Sequence, residues 1–136
     1  AYFTYLMLQQ NQVLKKPFYP RNNMDVRLGK KNKFDIPKQK GEIRVISCDM
    51  AFVENKNNDN SIFTCARLIP EYTRYTRGSD ETDVEISNGY RSKIHYLESV
   101  QGGDLTKQAL RIRQLYEDFS ADYLILDMRN AGRNAA

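Results

Sequence analysis

Two apolar segments of this chain each end on an aspartate, and this arrangement constrains the fold more than any other feature. Residues 43–49 (IRVISCD) end at Asp49, and residues 123–127 (YLILD) end at Asp127. An aspartate at the end of a buried strand lies at the edge of its sheet, where rigid backbone fixes the carboxylate. Two such edges side by side would present the oxygen ligands that Mg²⁺ prefers. The alternative is that each aspartate only ends its strand, because Asp is common in turns.

The apolar pattern along the chain predicts four strands and one long helix. Runs bounded by turn-forming residues indicate strands over 42–52, 61–69, 89–100 and 123–127. Between the last two strands, apolar residues recur at steps of three or four behind Asp104, a typical helix cap. The first three strands can pair as an antiparallel meander, and the helix then returns a parallel fourth strand. If that strand docks beside the first, Asp49 and Asp127 become neighbours at one edge of a mixed α/β sheet.

Several local expectations accompany this order of elements. Pro70 should end the second strand, and residues 72–88, with an acidic cluster at 80–85, should form an exposed polar hairpin tip. The continuous apolar run 123–127 is typical of an interior parallel strand. Arg111 lies off the apolar face of the helix and is expected in solvent.

The cysteine and histidine content excludes one class of metal site. The chain has two cysteines, Cys48 and Cys65, and one histidine, His95. Such a set cannot complete a Cys/His zinc site from its own residues. The cysteines are expected as small buried hydrophobic residues, and His95 as a packing or surface residue.

The positive charge is concentrated in the first third of the chain. Residues 1–44 carry ten Lys and Arg against three acids, a net charge of +7, whereas the remainder has a net charge of −3. Residues 1–14 have the pattern of an amphipathic helix, and residues 21–40 have the composition of a linker with one short turn. A basic arm beside an acidic site can hold a polyanion near it, while a solvated linker is the alternative. No apolar run approaches the length of a membrane span.

The order of elements, with one Asp on the first strand and another on the strand after the helix, resembles the ribonuclease H-like nuclease fold. More specifically, the chain is similar to the nuclease domain of the large terminase subunit of tailed bacteriophages. The stretches that carry this similarity are 45–51 with 57–63, 108–116 and 123–132. The resemblance implies that residues 42–136 form the N-terminal part of such a domain, incomplete at its C-terminus. Residues 1–41 would then be the end of an upstream ATPase region and a basic linker.

The resemblance implies a metal-dependent endonuclease that cuts concatemeric double-stranded DNA, with two Mg²⁺ or Mn²⁺ ions as cofactors. Asp49 matches the first-strand metal ligand of the family and Asp127 its second acid, and both would be catalytic. Asp59 matches an acid before the second strand, which either binds metal or is a plain turn residue. The third acid of the family lies farther downstream, and we expect it beyond Ala136. The candidates for contacts with backbone phosphates are Lys30, Lys31, Lys33 and Arg129.

The resemblance also implies partners and a place of action. The partners would be a portal protein and a small terminase subunit, and the full-length motor would form a homo-oligomeric ring at the procapsid portal in the host cytoplasm. This chain has no Gly-x-x-x-x-Gly-Lys-Ser/Thr phosphate loop, so it cannot itself be the ATP motor. An alternative is a non-catalytic ribonuclease H-like module that docks a portal or another subunit. A third is a relative of Holliday-junction resolvases or transposases, which share the sheet and the acids.

Overall fold

The computed structural model describes residues 4–10, 18–32, 35–51, 60–76 and 83–127. The helices are α1 (Tyr5–Gln10), α2 (Asn23–Arg27) and α3 (Leu105–Phe119). The strands are β1 (Ile43–Asp49), β2 (Asn60–Thr76), β3 (Asp83–Gln101) and β4 (Tyr123–Asp127). Among these elements, no helix has both the length and the apolar character that a bilayer crossing requires.

The four described strands form one mixed sheet in the order β3-β2-β1-β4. β1 pairs antiparallel with β2, β2 pairs antiparallel with β3, and β4 lies parallel to β1. The helix α3 connects β3 to β4 and is therefore the crossover that a parallel pair needs. The predicted α/β sheet of three antiparallel strands, a crossover helix and a parallel fourth strand is confirmed, and it is compatible with a ribonuclease H-like arrangement.

The β2–β3 pair is longer than the sequence predicted. β2 continues through Pro70 to Thr76, and β3 already begins at Asp83, so most of the expected polar excursion is a two-stranded ribbon. The prediction that Pro70 ends the strand is wrong. Pairing with β1 stops at Leu68, so from there on β2 has a described partner on the β3 side only, and proline is tolerated on such strands. The tip at 77–82 lies outside the described residues.

β4 lies at the edge of the described sheet, which corrects the prediction of an interior strand. In the described part of the chain it pairs with β1 alone. The side chains of Tyr123 to Leu126 are 41–61% exposed. The continuous apolar run correctly indicated a parallel strand. It did not indicate that, among the described residues, a neighbouring strand lies on one side of β4 only.

The core lies between α3 and one face of the sheet. Its buried members are Phe18, Ile46, Cys48, Met50, Phe63, Cys65, Ile112, Leu115 and Phe119. Both cysteines are buried, as expected, and burial raises the pKa of each thiol to about 12. Their protons are therefore retained at neutral pH, and the two side chains act as apolar packing groups.

His95 is a packing residue, one of the two roles expected for it. Its ring lies against Phe18 and Phe119, at centroid distances of 5.8 and 5.9 Å. Neither imidazole nitrogen has a hydrogen-bond partner among the described residues. Burial, together with the charges of Arg67 and Arg44, lowers the pKa of His95 to about 4, so the ring is neutral at pH 7.

Part of the segment expected as a linker packs on α3. Phe18 is 1% exposed within the core, and the Arg21 guanidinium binds Asp118 at 2.9 Å. The carbonyl oxygen of Arg21 accepts hydrogen bonds from Arg111 Nη1 at 2.9 Å and from the Gln114 amide.

Arg111 also binds Glu98 at 2.5 Å, so the prediction that it points to solvent is wrong. Its charge is used to join β3, α3 and the N-terminal segment.

A buried ionic cluster secures the start of β1. The fully buried Glu42 carboxylate binds Arg44 Nε and Arg67 Nη2, each at 2.5 Å. Arg44 also donates to the carbonyl oxygens of Ile36 at 2.5 Å and Phe119 at 2.9 Å. Burial alone would raise the pKa of Glu42, but hydrogen bonds from Arg67 and Arg44 outweigh it and leave the pKa below its usual value.

We expect Phe18→Ala to lower the free energy of unfolding by about 3–5 kcal/mol, because the ring fills a closed core position. Tyr5→Ala is the matched control, since Tyr5 is 76% exposed, and its effect should stay within about 0.5 kcal/mol. Urea unfolding of both variants measures the difference. Equal stability of the two would show that the 18–21 segment is not part of the folded unit.

Acid should destabilise the protein partly through Glu42. A carboxyl whose folded pKa lies below the unfolded value of 4.5 stabilises the fold fully above that value. The stabilisation is then lost as the pH falls through the lower, folded pKa. Glu42→Gln should cost about 3–5 kcal/mol near pH 7, because two buried guanidinium groups lose their counter-charge. The gap between wild type and variant should shrink in urea titrations below about pH 5, and a constant gap would contradict the assignment.

Candidate metal centre

The register of β1 and β4 brings the two predicted acids together. Asp49 and Asp127 are direct partners in the parallel pair, and they form its last pair. Adjacent strands lie about 4.8 Å apart, so the two carboxylates start from neighbouring positions at the carboxyl edge of the sheet. Asp49 is exposed and Asp127 is partly buried. The adjacency expected from the order of elements is therefore present.

Side-chain alternation places both acids on the face of the sheet opposite α3. On β1, Arg44, Ile46 and Cys48 are buried, whereas Ser47 and Asp49 are exposed. Successive side chains of a strand point to opposite faces, and parallel partners share a face, so Asp127 points the same way as Asp49. A cation or a phosphodiester can therefore approach the pair from the exposed side.

The register that aligns the acids is fixed by Asp122, directly before β4. The Asp122 N–H donates to the Arg44 carbonyl oxygen at 2.7 Å, and its carboxylate accepts the Arg44 N–H at 2.9 Å. Lys38 Nζ binds the same carboxylate at 2.7 Å. The Lys38 hydrogen bond and the Arg44 N–H hold the pKa of Asp122 below its usual value, so this carboxylate stays ionised at neutral pH.

A buried polar network holds the chain immediately beyond Asp49. The Ala51 N–H donates to Ser61 Oγ at 2.8 Å, and the Ala51 carbonyl oxygen accepts from Gln108 Nε2 at 3.0 Å. The Ser61 hydroxyl also hydrogen-bonds to Gln108 Oε1. The backbone two residues after Asp49 is thus fixed from both β2 and α3, which restricts where its carboxylate can lie.

Sequence reasoning missed this network, although one signal was present. Gln108 lies at helical spacing with Ile112, Leu115 and Phe119, so it occupies a position of the buried face. A polar residue on that face needs a partner inside the protein. The pattern does not show that the partners are Ser61 and the backbone of Ala51.

The loop before α3 completes the same edge. Gly103 has a φ of 110°, which side-chain-bearing residues rarely adopt, and its N–H donates to the Ala51 carbonyl oxygen at 3.1 Å. Asp104 then caps α3, as predicted, by accepting from the N–H groups of Thr106 at 2.9 Å and Lys107 at 3.2 Å. The N-terminus of α3 therefore lies at the sheet edge that carries the acids.

The residues present fit a hard divalent cation. Two carboxylates are a typical protein contribution to a Mg²⁺ shell, in which water supplies further ligands. The Asp49 carboxylate makes no hydrogen bond or ion pair with another described residue, so its oxygens are available. Within the described ranges, no group of three or more His, Cys, Asp or Glu residues is positioned to hold a metal. Asp49 and Asp127 are therefore the candidate metal ligands that the described residues provide.

The other predicted site residues are not all described. Asp59, Lys33 and Arg129 lie outside the described residues. Lys30 and Lys31 are exposed, and the Lys30 carbonyl oxygen accepts from Arg21 Nη1 at 3.1 Å. Because Arg21 binds near the C-terminal end of α3, this contact does not bring Lys30 to the acidic edge.

Removal of the Ser61 hydroxyl should destabilise the acidic edge, by which we mean the carboxyl ends of β1 and β4 that carry Asp49 and Asp127. Ser61→Ala leaves the buried Ala51 N–H and Gln108 Oε1 without their partner, which should cost about 1–3 kcal/mol of unfolding free energy. Ser92→Ala, at an exposed position of β3, is the control and should change stability by less than about 0.5 kcal/mol. Urea unfolding compares them, and equal values would mean that the network contributes nothing.

Comparison with known proteins assigns no family to this chain. No protein-family model matches it, and neither a curated protein nor a solved structure shows a significant match. The strand order and the register of Asp49 and Asp127 are therefore the observations from which a function is argued.

Proposed function

We propose that this chain contains the N-terminal part of a metal-dependent endonuclease domain that hydrolyses phosphodiester bonds in double-stranded DNA. The observation that supports this function is the parallel register that pairs Asp49 with Asp127 on an exposed face at the carboxyl edge. Ligand sites of open α/β sheets gather at this edge. The strand order β3-β2-β1-β4, which is compatible with a ribonuclease H-like arrangement, adds support.

The finer proposal is the nuclease domain of a phage DNA-packaging terminase large subunit. It rests on the resemblance of residues 45–51 with 57–63, 108–116 and 123–132 to that family. Concatemeric DNA would then be the substrate, and a portal protein and a small terminase subunit would be the partners. The third acid implied by the resemblance is expected from outside the described residues.

The chain's own contribution is the orientation of two carboxylates. Asp49 lies on β1, between β2 and β4, and is the natural shared ligand, while Asp127 adds oxygen donors from the neighbouring strand. Two divalent cations, Mg²⁺ or Mn²⁺, would supply stabilisation of the charge that develops on the scissile phosphate. The Ala51 network holds the chain just after Asp49, and the Asp122 contacts fix the start of β4 and so its register with β1. Little reorganisation of the two carboxylates would therefore be needed when the cations bind.

The test is Mn²⁺-dependent nicking of supercoiled plasmid by the full-length polypeptide that contains this chain. Asp49→Asn should reduce nicking by at least about 100-fold, because an amide oxygen is a weaker, uncharged ligand. Asp127→Asn should have a similar effect. The fold should persist in both, since neither residue lies in the core.

Asp104→Asn is a matched control for these variants. It removes an exposed carboxylate near the same edge, and asparagine caps a helix as well as aspartate does. Its nicking rate should equal that of wild type. Undiminished nicking by Asp49→Asn, or an equal loss in Asp104→Asn, would refute the assignment of the acidic pair.

A second candidate is the non-catalytic ribonuclease H-like module that docks a portal or another subunit. The observation that favours it is the exposed apolar character of the sheet face that carries the acids. On this face Ile62, Ile94, Leu97 and Ile125 are 41–62% exposed. A folded wild type that neither nicks DNA nor binds Mn²⁺ through Asp49 would favour this function.

A further inference from the structure

A groove with several cations in its lining runs between α2 and the outer side of α3. Its volume is about 760 Å³. The charged residues that line it are Arg21, Arg27, Lys107, Arg111, Arg113 and Glu117. Two of these cations pair with carboxylates outside this set, Asp118 and Glu98, so five cations are set against three carboxylates, and the net charge of +2 attracts anions.

Two of these arginines belong to the structure of the groove. Arg21 binds Asp118 at 2.9 Å, and Arg111 binds Glu98 at 2.5 Å. The hydrogen bonds that Arg111 donates to Glu98 raise the pKa of Arg111 above its usual value, so this side chain stays charged. Both guanidinium groups are held in place by these pairs and form the rigid floor between the two helices.

The remaining cations are available to a ligand. The side chains of Arg27 and Lys107 make no hydrogen bond or ion pair with any described residue. Arg113 pairs with Glu117 at 3.3 Å, but both side chains are largely exposed, so water or a phosphate can replace this contact at little cost.

The groove leads toward the acidic edge. Lys107 lies in the first turn of α3, and that helix begins beside Ala51, two residues after Asp49. From Lys107 to Arg113, the first and last α3 cations that line the groove, the helix rises about 9 Å, at about 1.5 Å per residue. Successive phosphates of one DNA strand advance about 3.4 Å along the duplex axis, so this row of cations spans about three phosphates. A single small anion would not need such an extended row.

We propose that this groove binds the phosphate backbone of duplex DNA on the α3 side of the sheet, near the carboxyl ends of β1 and β4. The choice of DNA among polyanions rests on the proposed nuclease function. Among the described residues, no aromatic side chain lines the groove, whereas grooves for single strands combine positive charge with aromatic stacking surfaces. Guanidinium and ammonium donors without base contacts give binding that is independent of sequence.

The test is the binding of a short labelled DNA duplex to the full-length polypeptide that contains this chain, measured by fluorescence anisotropy at several salt concentrations. All proteins carry Asp49→Asn, so that no DNA is cut. The double variant Arg27→Gln/Lys107→Gln should raise the Kd about tenfold or more and reduce the slope of log K against log salt by about 2. The control double variant Lys40→Gln/Lys93→Gln removes the same charge from positions outside the groove and should bind as wild type does.

Each remaining outcome would overturn either the proposed groove or the nuclease function on which it rests. An equal effect in the two double variants would mean that only net charge matters. Equal affinity for polyglutamate of matched charge would indicate an acidic protein partner, and tighter binding of the single strand would exclude a duplex path. If DNA binding depends on Arg27 and Lys107 but the protein with Asp49 intact does not nick DNA, the nuclease function is refuted and the DNA-binding groove is still supported. If nicking depends on Asp49 but Arg27→Gln/Lys107→Gln binds DNA as tightly as the protein without these two substitutions, the proposed DNA-binding role of the groove is refuted and the nuclease function is not.

Discussion

The acidic edge depends on a register that is set at the other end of β4. Asp122 exchanges hydrogen bonds with the backbone of Arg44 through both its own N–H and its carboxylate, so β4 can align with β1 in one way. A slip of one residue would turn every β4 side chain to the opposite face of the sheet. Asp127 would then point toward α3 instead of standing beside Asp49. A surface aspartate thus determines whether a two-carboxylate site exists.

The helix α3 is held between two polar networks of different character. At its C-terminal end, the buried Arg44 guanidinium donates to the Phe119 carbonyl oxygen and lies 5.0 Å from the centre of the Phe119 ring. A cation at this end of a helix also complements the helix dipole. At its N-terminal end, Gln108 bonds to the Ala51 backbone. Apolar packing between these two ends sets the distance of the helix from the sheet, and the networks set its position along β1.

The sequence predicted those features that depend on local pattern. The strands, the Asp104 cap and the parallel return of β4 follow from periodicity and the crossover connection. The adjacency of Asp49 and Asp127 required in addition that β4 dock beside β1, and the structure shows that it does. What it could not predict depends on distant partners. Arg111 lies on a polar face of α3, but its ligands come from Glu98 on β3 and from the Arg21 carbonyl oxygen, 90 positions away in the chain. Such tertiary contacts leave no periodic signal.

The outer edge of β4 has a consequence for the behaviour of the described unit in solution. Its backbone groups on the side away from β1 have no strand partner in the described part of the chain, and its apolar side chains are exposed. An uncovered, flat, hydrophobic edge is a template for adding a strand from another molecule. Concentrated preparations of these residues alone would therefore tend to associate edge to edge, and a lysine or proline on β4 would be the natural means of keeping them dispersed.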